Sequence, residues 1–199
     1  MIRRVVHIAL PVLLMILLWG VSSADSGIIV SLKSTACPWA DTHLEQKVDL
    51  LLTSMNRVPI VRKALPDASE LTTFEEIVLW GQQQGGRYLV DIQIDRIDLE
   101  RRKITVLPWV MFRYRVYAVM EGTMRIIDLK KGRLLDLQHI ECELKGSDKW
   151  QIVDDDKTDA DLMIPAYDKQ ILFDELEKKA AGQFYQEIKK LTRGNYFGG

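Results

Sequence analysis

Between Phe112 and Ile126 the even positions read Phe112, Tyr114, Val116, Ala118, Met120, Gly122, Met124 and Ile126, while the odd ones include Arg113, Arg115, Glu121, Thr123 and Arg125. A period of two with one apolar and one mostly polar face predicts a long strand. Residues 89–95 alternate in the same way ahead of it. Asp128-Leu129-Lys130-Lys131-Gly132-Arg133 then supplies turn residues leading into a third strand over 134–144. The centre of the chain, residues 87–145, is therefore predicted to be a three-strand antiparallel meander with 112–129 as its spine.

On either side of the meander the pattern changes. Ile28-Ile29-Val30-Ser31-Leu32 is short, rich in β-branched residues and bounded by Gly27 and polar residues, which predicts a first strand. Thr42 and Glu45 have the spacing of a capping box at the start of a helix whose apolar stripe is Leu44, Val48, Leu51, Leu52 and Met55. Val58-Pro59-Ile60-Val61 reads as an extended segment, placed by Pro59 at an edge or a strand start. Strand, helix, strand in this order implies a crossover with parallel strands. A second helix follows, with Thr72 to Glu75 and Thr73 to Glu76 as competing capping boxes and Phe74, Ile77 and Val78 as its apolar side; Gly85 and Gly86 suit the turn out of it. Beyond the meander, residues 149–161 are polar and acidic. Residues 168–191 return to helical period, with Leu172, Leu176, Ala180, Phe184, Ile188 and Leu191 on one face. Residues 194–199 read as a disordered tail. The pattern predicts one α/β domain, a mixed sheet of about five strands covered mainly on one face by three helices.

The first residues change the picture of where the protein works. Arg3 and Arg4 precede an apolar run over residues 5–21, and Ser22-Ser23-Ala24 stands before the first acid, Asp25. This is the layout of a secretory leader cleaved after residue 24, with a retained membrane anchor over 5–21 as the alternative. Residues 1–24 hold two basic residues and no acid, so the rest of the chain keeps 25 of the 27 basic residues against all 28 acids, a net charge of −3. Nothing in that balance suggests a nucleic-acid partner. The 175 residues left suit one core, residues 25–193, rather than two domains. The two cysteines, Cys37 and Cys142, are open to pairing in an exported chain or to staying as buried thiols.

Candidate chemistry is sparse. Residues 154–161 are acidic, but Asp159 stands where an EF-hand needs glycine and Pro165 where it needs its bidentate acid, so a solvated loop is the expectation. His139 and Cys142 lie three apart on a strand and point to opposite faces, which denies them a shared metal ion. No nucleophile, phosphate-loop or dinucleotide motif occurs, and Asp91 and Asp95 read as the wet face of their strand. No catalytic residue, cofactor or small-molecule substrate is indicated. The unusual stretch is 96–115, read as the first connection of the meander. It carries Arg96, Arg101, Arg102, Lys103, Arg113 and Arg115 against Asp98 and Glu100, and encloses an apolar run from Ile104 to Phe112. Connections are normally polar. An apolar tip with a basic collar suits a protein interface anchored by Trp109, with Met111 and Phe112 beside it and Arg101, Arg102, Lys103, Arg113 and Arg115 around it. It also suits insertion into an anionic membrane surface, or a tip folded back over an open end of the core.

Two turns carry a resemblance. Gly86-Arg87-Tyr88-Leu89-Val90 is similar to a Gly-x-x-Tyr-Leu/Val approach to the third strand, and Asp128-Leu129-Lys130-Lys131-Gly132-Arg133-Leu134-Leu135 is similar to an Asp-x-x-Thr-Gly-x-x-Leu hairpin, with Lys131 in place of Thr. With the order of elements over residues 28–191, the chain resembles the exported α/β domains that include the amino-terminal domain of TolB, the curli-secretion protein CsgG and the lipoprotein activators of penicillin-binding proteins. The resemblance implies a non-enzymatic role in the cell envelope, binding other proteins or assembling with copies of itself.

Overall fold

The β-branched run after Gly27 forms β1 (Gly27–Ser34), and it lies at the centre of the parallel half of the sheet, between β2 (Ile60–Arg62) and β3 (Gly86–Leu107). The computed structural model describes residues 27–55, 59–66, 73–107, 111–151 and 164–193, with the side chains of 105–107, 111–114 and 147–151 left aside. The expected leader, the acidic loop at 154–161 and the tail lie outside the described residues. β1 runs parallel to both neighbours, Ile28 standing opposite Ile60 on one side and Tyr88 on the other, as the strand-helix-strand order predicts. β4 (Met111–Asp128) and β5 (Arg133–Gln151) complete the meander, and the order across the sheet is β2-β1-β3-β4-β5. At the hairpin between them the Lys131 amide donates to Asp128 Oδ1 at 3.0 Å, and Gly132 takes the positive φ of 59° that a residue with a Cβ adopts only under strain. With helices α1 (Leu44–Thr53), α2 (Phe74–Gln83) and α3 (Ala166–Thr192), the described residues form a single α/β domain.

The main core lies on one face of the sheet. Val116, Ala118, Met120, Met124 and Ile126 of β4 are buried there with Val90, Ile92 and Ile94 of β3 and Ile28, Val30 and Leu32 of β1. α1 contributes Leu44, Val48 and Leu52, and α3 contributes Phe173, Leu176, Ala180, Phe184 and Ile188. α2 corrects the expected layering: its Ile77 and Val78 pack on Ile29, Leu89, Ile127 and Leu129, which point to the opposite face. The reason is the period of two, since the odd-numbered residues at this end of β1, β3 and β4 are as apolar as the even ones and need a cover of their own. Of the two capping boxes available to α2, Thr73 and Glu76 form one: the Glu76 amide donates to Thr73 Oγ1 at 3.3 Å and the Thr73 amide to Glu76 Oε2 at 3.0 Å.

The capping box expected of Thr42 and Glu45 does not form. α1 begins after His43, with no side-chain cap of its own. The His43 amide instead donates to both carboxylate oxygens of Glu177, at 2.9 and 3.2 Å, from the middle of α3. Glu177 is 1% exposed, and Lys47, one turn into α1, meets it and donates to Asp174 at 2.7 Å. A helix start and a buried charge thus satisfy each other across two elements 134 residues apart.

Two substitutions test this architecture. A Cβ at Gly122 meets Gln93 O at 2.2 Å and Ile94 Cα at 3.0 Å, backbone atoms that cannot turn aside. Gly122→Ala is therefore expected to lower stability by about 1–3 kcal/mol in chemical denaturation. Lys47→Met leaves Glu177 buried without its cation and is expected to cost about 2–3 kcal/mol, a little under a fully buried pair because Lys47 keeps part of its hydration. Lys178 and Lys47 hold the Asp174 carboxyl down to about 2. A depressed carboxylate stabilises above its unfolded-state pKa, so this contribution is present at neutral pH and is lost as pH falls from about 4 to about 2. An acid-unfolding profile is expected to flatten in that window when Asp174 is changed to Asn.

Candidate functional site

β1 ends at Ser34, opposite Ile94, and from there β3, β4 and β5 continue as a three-strand arm. Near its root the inner edge of the arm is held by Thr35 N–H, which donates to the Ile94 carbonyl at 3.2 Å, and by Trp39 Nε1–H, which donates to Asp98 Oδ1 at 2.9 Å. One face of the arm carries Ile97, Leu99, Val116 and Ala118 into the core. The other carries a ladder of charges. Arg96 donates to Asp98 at 3.3 Å, Glu100 at 3.0 Å and Glu121 at 3.1 Å. Arg102 donates to Glu100 at 2.8 Å and Glu143 at 2.7 Å, with its guanidinium 4.4 Å above the ring of Tyr117. The ladder ties all three strands together. Its hydrogen bonds from Arg102 and Arg96 hold the Glu100 carboxyl below the ordinary carboxylate range. Burial pushes Asp98 upward, but the donors Trp39, the Leu99 amide and Arg96 outweigh it and leave Asp98 lowered.

The structure redraws the stretch 96–115. Most of it is strand rather than connection: β3 runs to Leu107 and β4 starts at Met111, with Arg101 opposite Val116, Arg102 opposite Arg115 and Lys103 opposite Tyr114. Arg101, Lys103 and Arg115 are engaged with neighbours, as Arg96 and Arg102 are. The basic excess read along the sequence shrinks because Glu121 and Glu143 arrive from adjacent strands. Met111, Phe112 and Arg113 stand on β4 by their backbone, facing Leu107, Thr105 and Ile104, and Trp109 lies outside the described residues.

Cys37 and Cys142 are both free. Cys37 sits in the β1–α1 connection, packed against the main core, whereas Cys142 lies on β5, where its thiol donates to Gln183 Oε1 of α3 at 3.0 Å. Burial pushes both thiols above their ordinary pKa. His139 is exposed on the face opposite buried Cys142. Asp91 is taken by Arg125, whose Nε donates at 3.0 Å, and Asp95 accepts from Gln93 at 2.8 Å. Among the described residues no three His, Cys, Asp or Glu side chains are placed to hold a metal ion, and no helix is long and apolar enough to cross a membrane.

One feature escaped the sequence reading altogether. Between β5 and α3 runs a groove of about 610 Å³ lined by Gln138, Ile140, Lys179, Gly182, Gln183 and Glu187. Only the packing of α3 against β5 reveals it, because the residues that form it are scattered over two elements that each look amphipathic alone.

No protein-family model and no curated protein matches the chain. Among solved structures, a neuraminyllactose-binding hemagglutinin homolog from Helicobacter pylori is similar over 87% of this chain and 90% of its own, with a TM-score of 0.52 at 9% identity. Rare lipoprotein B from Shewanella oneidensis is 15% identical over 83% of this chain and 97% of its own, with a TM-score of 0.38. A lipoprotein from Caulobacter crescentus is 14% identical over 88% and 97%, also at 0.38. The last two scores are too low to establish a common fold. The likeness to the Helicobacter pylori protein is one of fold, and bacterial lipoproteins are among the structural neighbours.

Proposed function

We propose that this chain is an exported, non-enzymatic protein of the cell envelope that works by contact with other proteins, using the arm of β3, β4 and β5. The observation that carries the reading is the arm itself: a ribbon of three strands continued past the parallel half of the sheet, its charged side chains committed to one another rather than converging on a substrate. The leader pattern of residues 1–24 and the resemblance to the TolB amino-terminal domain and CsgG support the envelope location. Arg96 and Arg102 spend their charge on acids of the same face, which favours a protein partner over an anionic bilayer.

The test compares the exported full chain with a variant carrying Trp109→Ser, Met111→Ser and Phe112→Ser, in cross-linking to envelope proteins and in binding to anionic vesicles. The expected outcome is a partner captured by the first and lost by the second, with matching circular dichroism and no vesicle binding by either. Unchanged partners would overturn the reading. So would vesicle binding that falls with salt and with the variant, which would move the arm to a membrane surface.

A further inference from the structure

The outer edge of β5 carries a second surface, distinct from the arm's tip. Ile94 gives its carbonyl to Thr35 on the β1 side, so its β4 partner Gly122 turns its backbone to β5 and bonds Ile140. The residues that alternate with Ile140, namely Leu137, His139, Glu141 and Glu143, therefore aim their N–H and C=O groups outward. The Glu143 carbonyl confirms the direction: Lys179 of α3 reaches around to donate to it at 2.9 Å. Among the described residues nothing else bonds this edge. Long, uncovered edges are rare in proteins that stay single, because they template pairing with another chain.

We infer that two copies of this chain join along β5, antiparallel, about a twofold axis at Ile140, so that the sheet runs unbroken from one copy into the other. Three observations favour a second copy as the occupant. First, the register centred on Ile140 sets His139 against Glu141 of the other copy, twice over by symmetry. An imidazole N–H then meets a carboxylate, and each such pair also exchanges its two backbone hydrogen bonds. Among the described residues neither side chain has a partner. Second, the same register sets Leu137, 59% exposed, beside the stem of Glu143 of the other copy. Third, the helices fit. α3 lies over β4 and β5, so two copies of it would run antiparallel across the seam at about 10 Å, two strand spacings, which is a normal helix-packing distance. The groove supplies the room, and at Gly182 an added Cβ meets nothing within 4 Å. This dimer goes beyond the arm reading and stands without it, since its seam shares no residue with the arm's tip.

Sedimentation equilibrium of the exported full chain over a concentration series tests it. The expected result is a monomer–dimer equilibrium. His139→Glu sets like charges opposite each other at both symmetry-related sites and is expected to weaken it at least about tenfold, while adding Glu141→Lys to that variant restores it. Glu141→Pro removes an outward N–H without touching the bonds to β4 and is expected to give monomers. A monomer at every concentration would overturn the proposal, as would a dimer indifferent to His139→Glu. If the proline variant fails to fold, the charge reversal and its rescue still decide. The serine variant of the arm's tip is expected to dimerise normally, so loss of the arm's partner and loss of the dimer are separate results.

Discussion

Asp95 is an extra residue in β3: Ile94 pairs with Gly122 and Arg96 with Glu121, so two backbone steps on one strand meet one on the other. Every side chain beyond it depends on that offset. Up to Ile94 the even residues of β3 enter the main core, and after it the odd ones do, with Ile97 and Leu99 buried and Arg96, Asp98 and Glu100 on the charged face. Without the bulge the three charged side chains would be driven into the core and the two apolar ones into water. Gly122 is the matching concession on β4. Its missing Cβ lets the bulged backbone come within a distance that any other residue would block.

The same offset explains what could be read in the sequence and what could not. β4 was legible because its alternation runs unbroken from Val116 to Ile126, and the hairpin at Asp128 and Gly132 because both residues have one obvious use. β3 was legible only as far as Asp95. There the period of two slips by one, and a strand that continues to Leu107 reads as a strand that ends, with a basic connection after it. The excess of arginine in that stretch is smaller in space than along the chain, since two acids that answer it, Glu121 and Glu143, stand on β4 and β5.

Pairings between distant elements were the other blind spot. Thr42 and Glu45 have the spacing of a local cap, yet His43 is capped from α3 by Glu177, a residue that looks like part of an ordinary polar helix face until it is found 1% exposed. A spacing rule weighs only what lies within one turn, whereas a buried carboxylate seeks whichever donors surround it. α2 illustrates the opposite case. Its Thr73–Glu76 box formed as read, but a helix's own sequence does not say which face of a sheet will receive it, and that was decided by Ile29, Leu89 and Ile127.

The meander also divides the chain by the entropy of its contacts. β3, β4 and β5 are joined in sequence by short links, so each pairing closes a small loop. β1 meets β3 only after the intervening α1, β2 and α2 have been laid out, and the clasp of His43 by Glu177 waits on almost the whole chain. The order of these costs makes the arm and its continuation the part that can hold its shape earliest. On that ordering the parallel half and the long closing helix are expected to assemble on a sheet that already exists. A ribbon that closes its contacts before the rest of the chain is a scaffold as well as a limb.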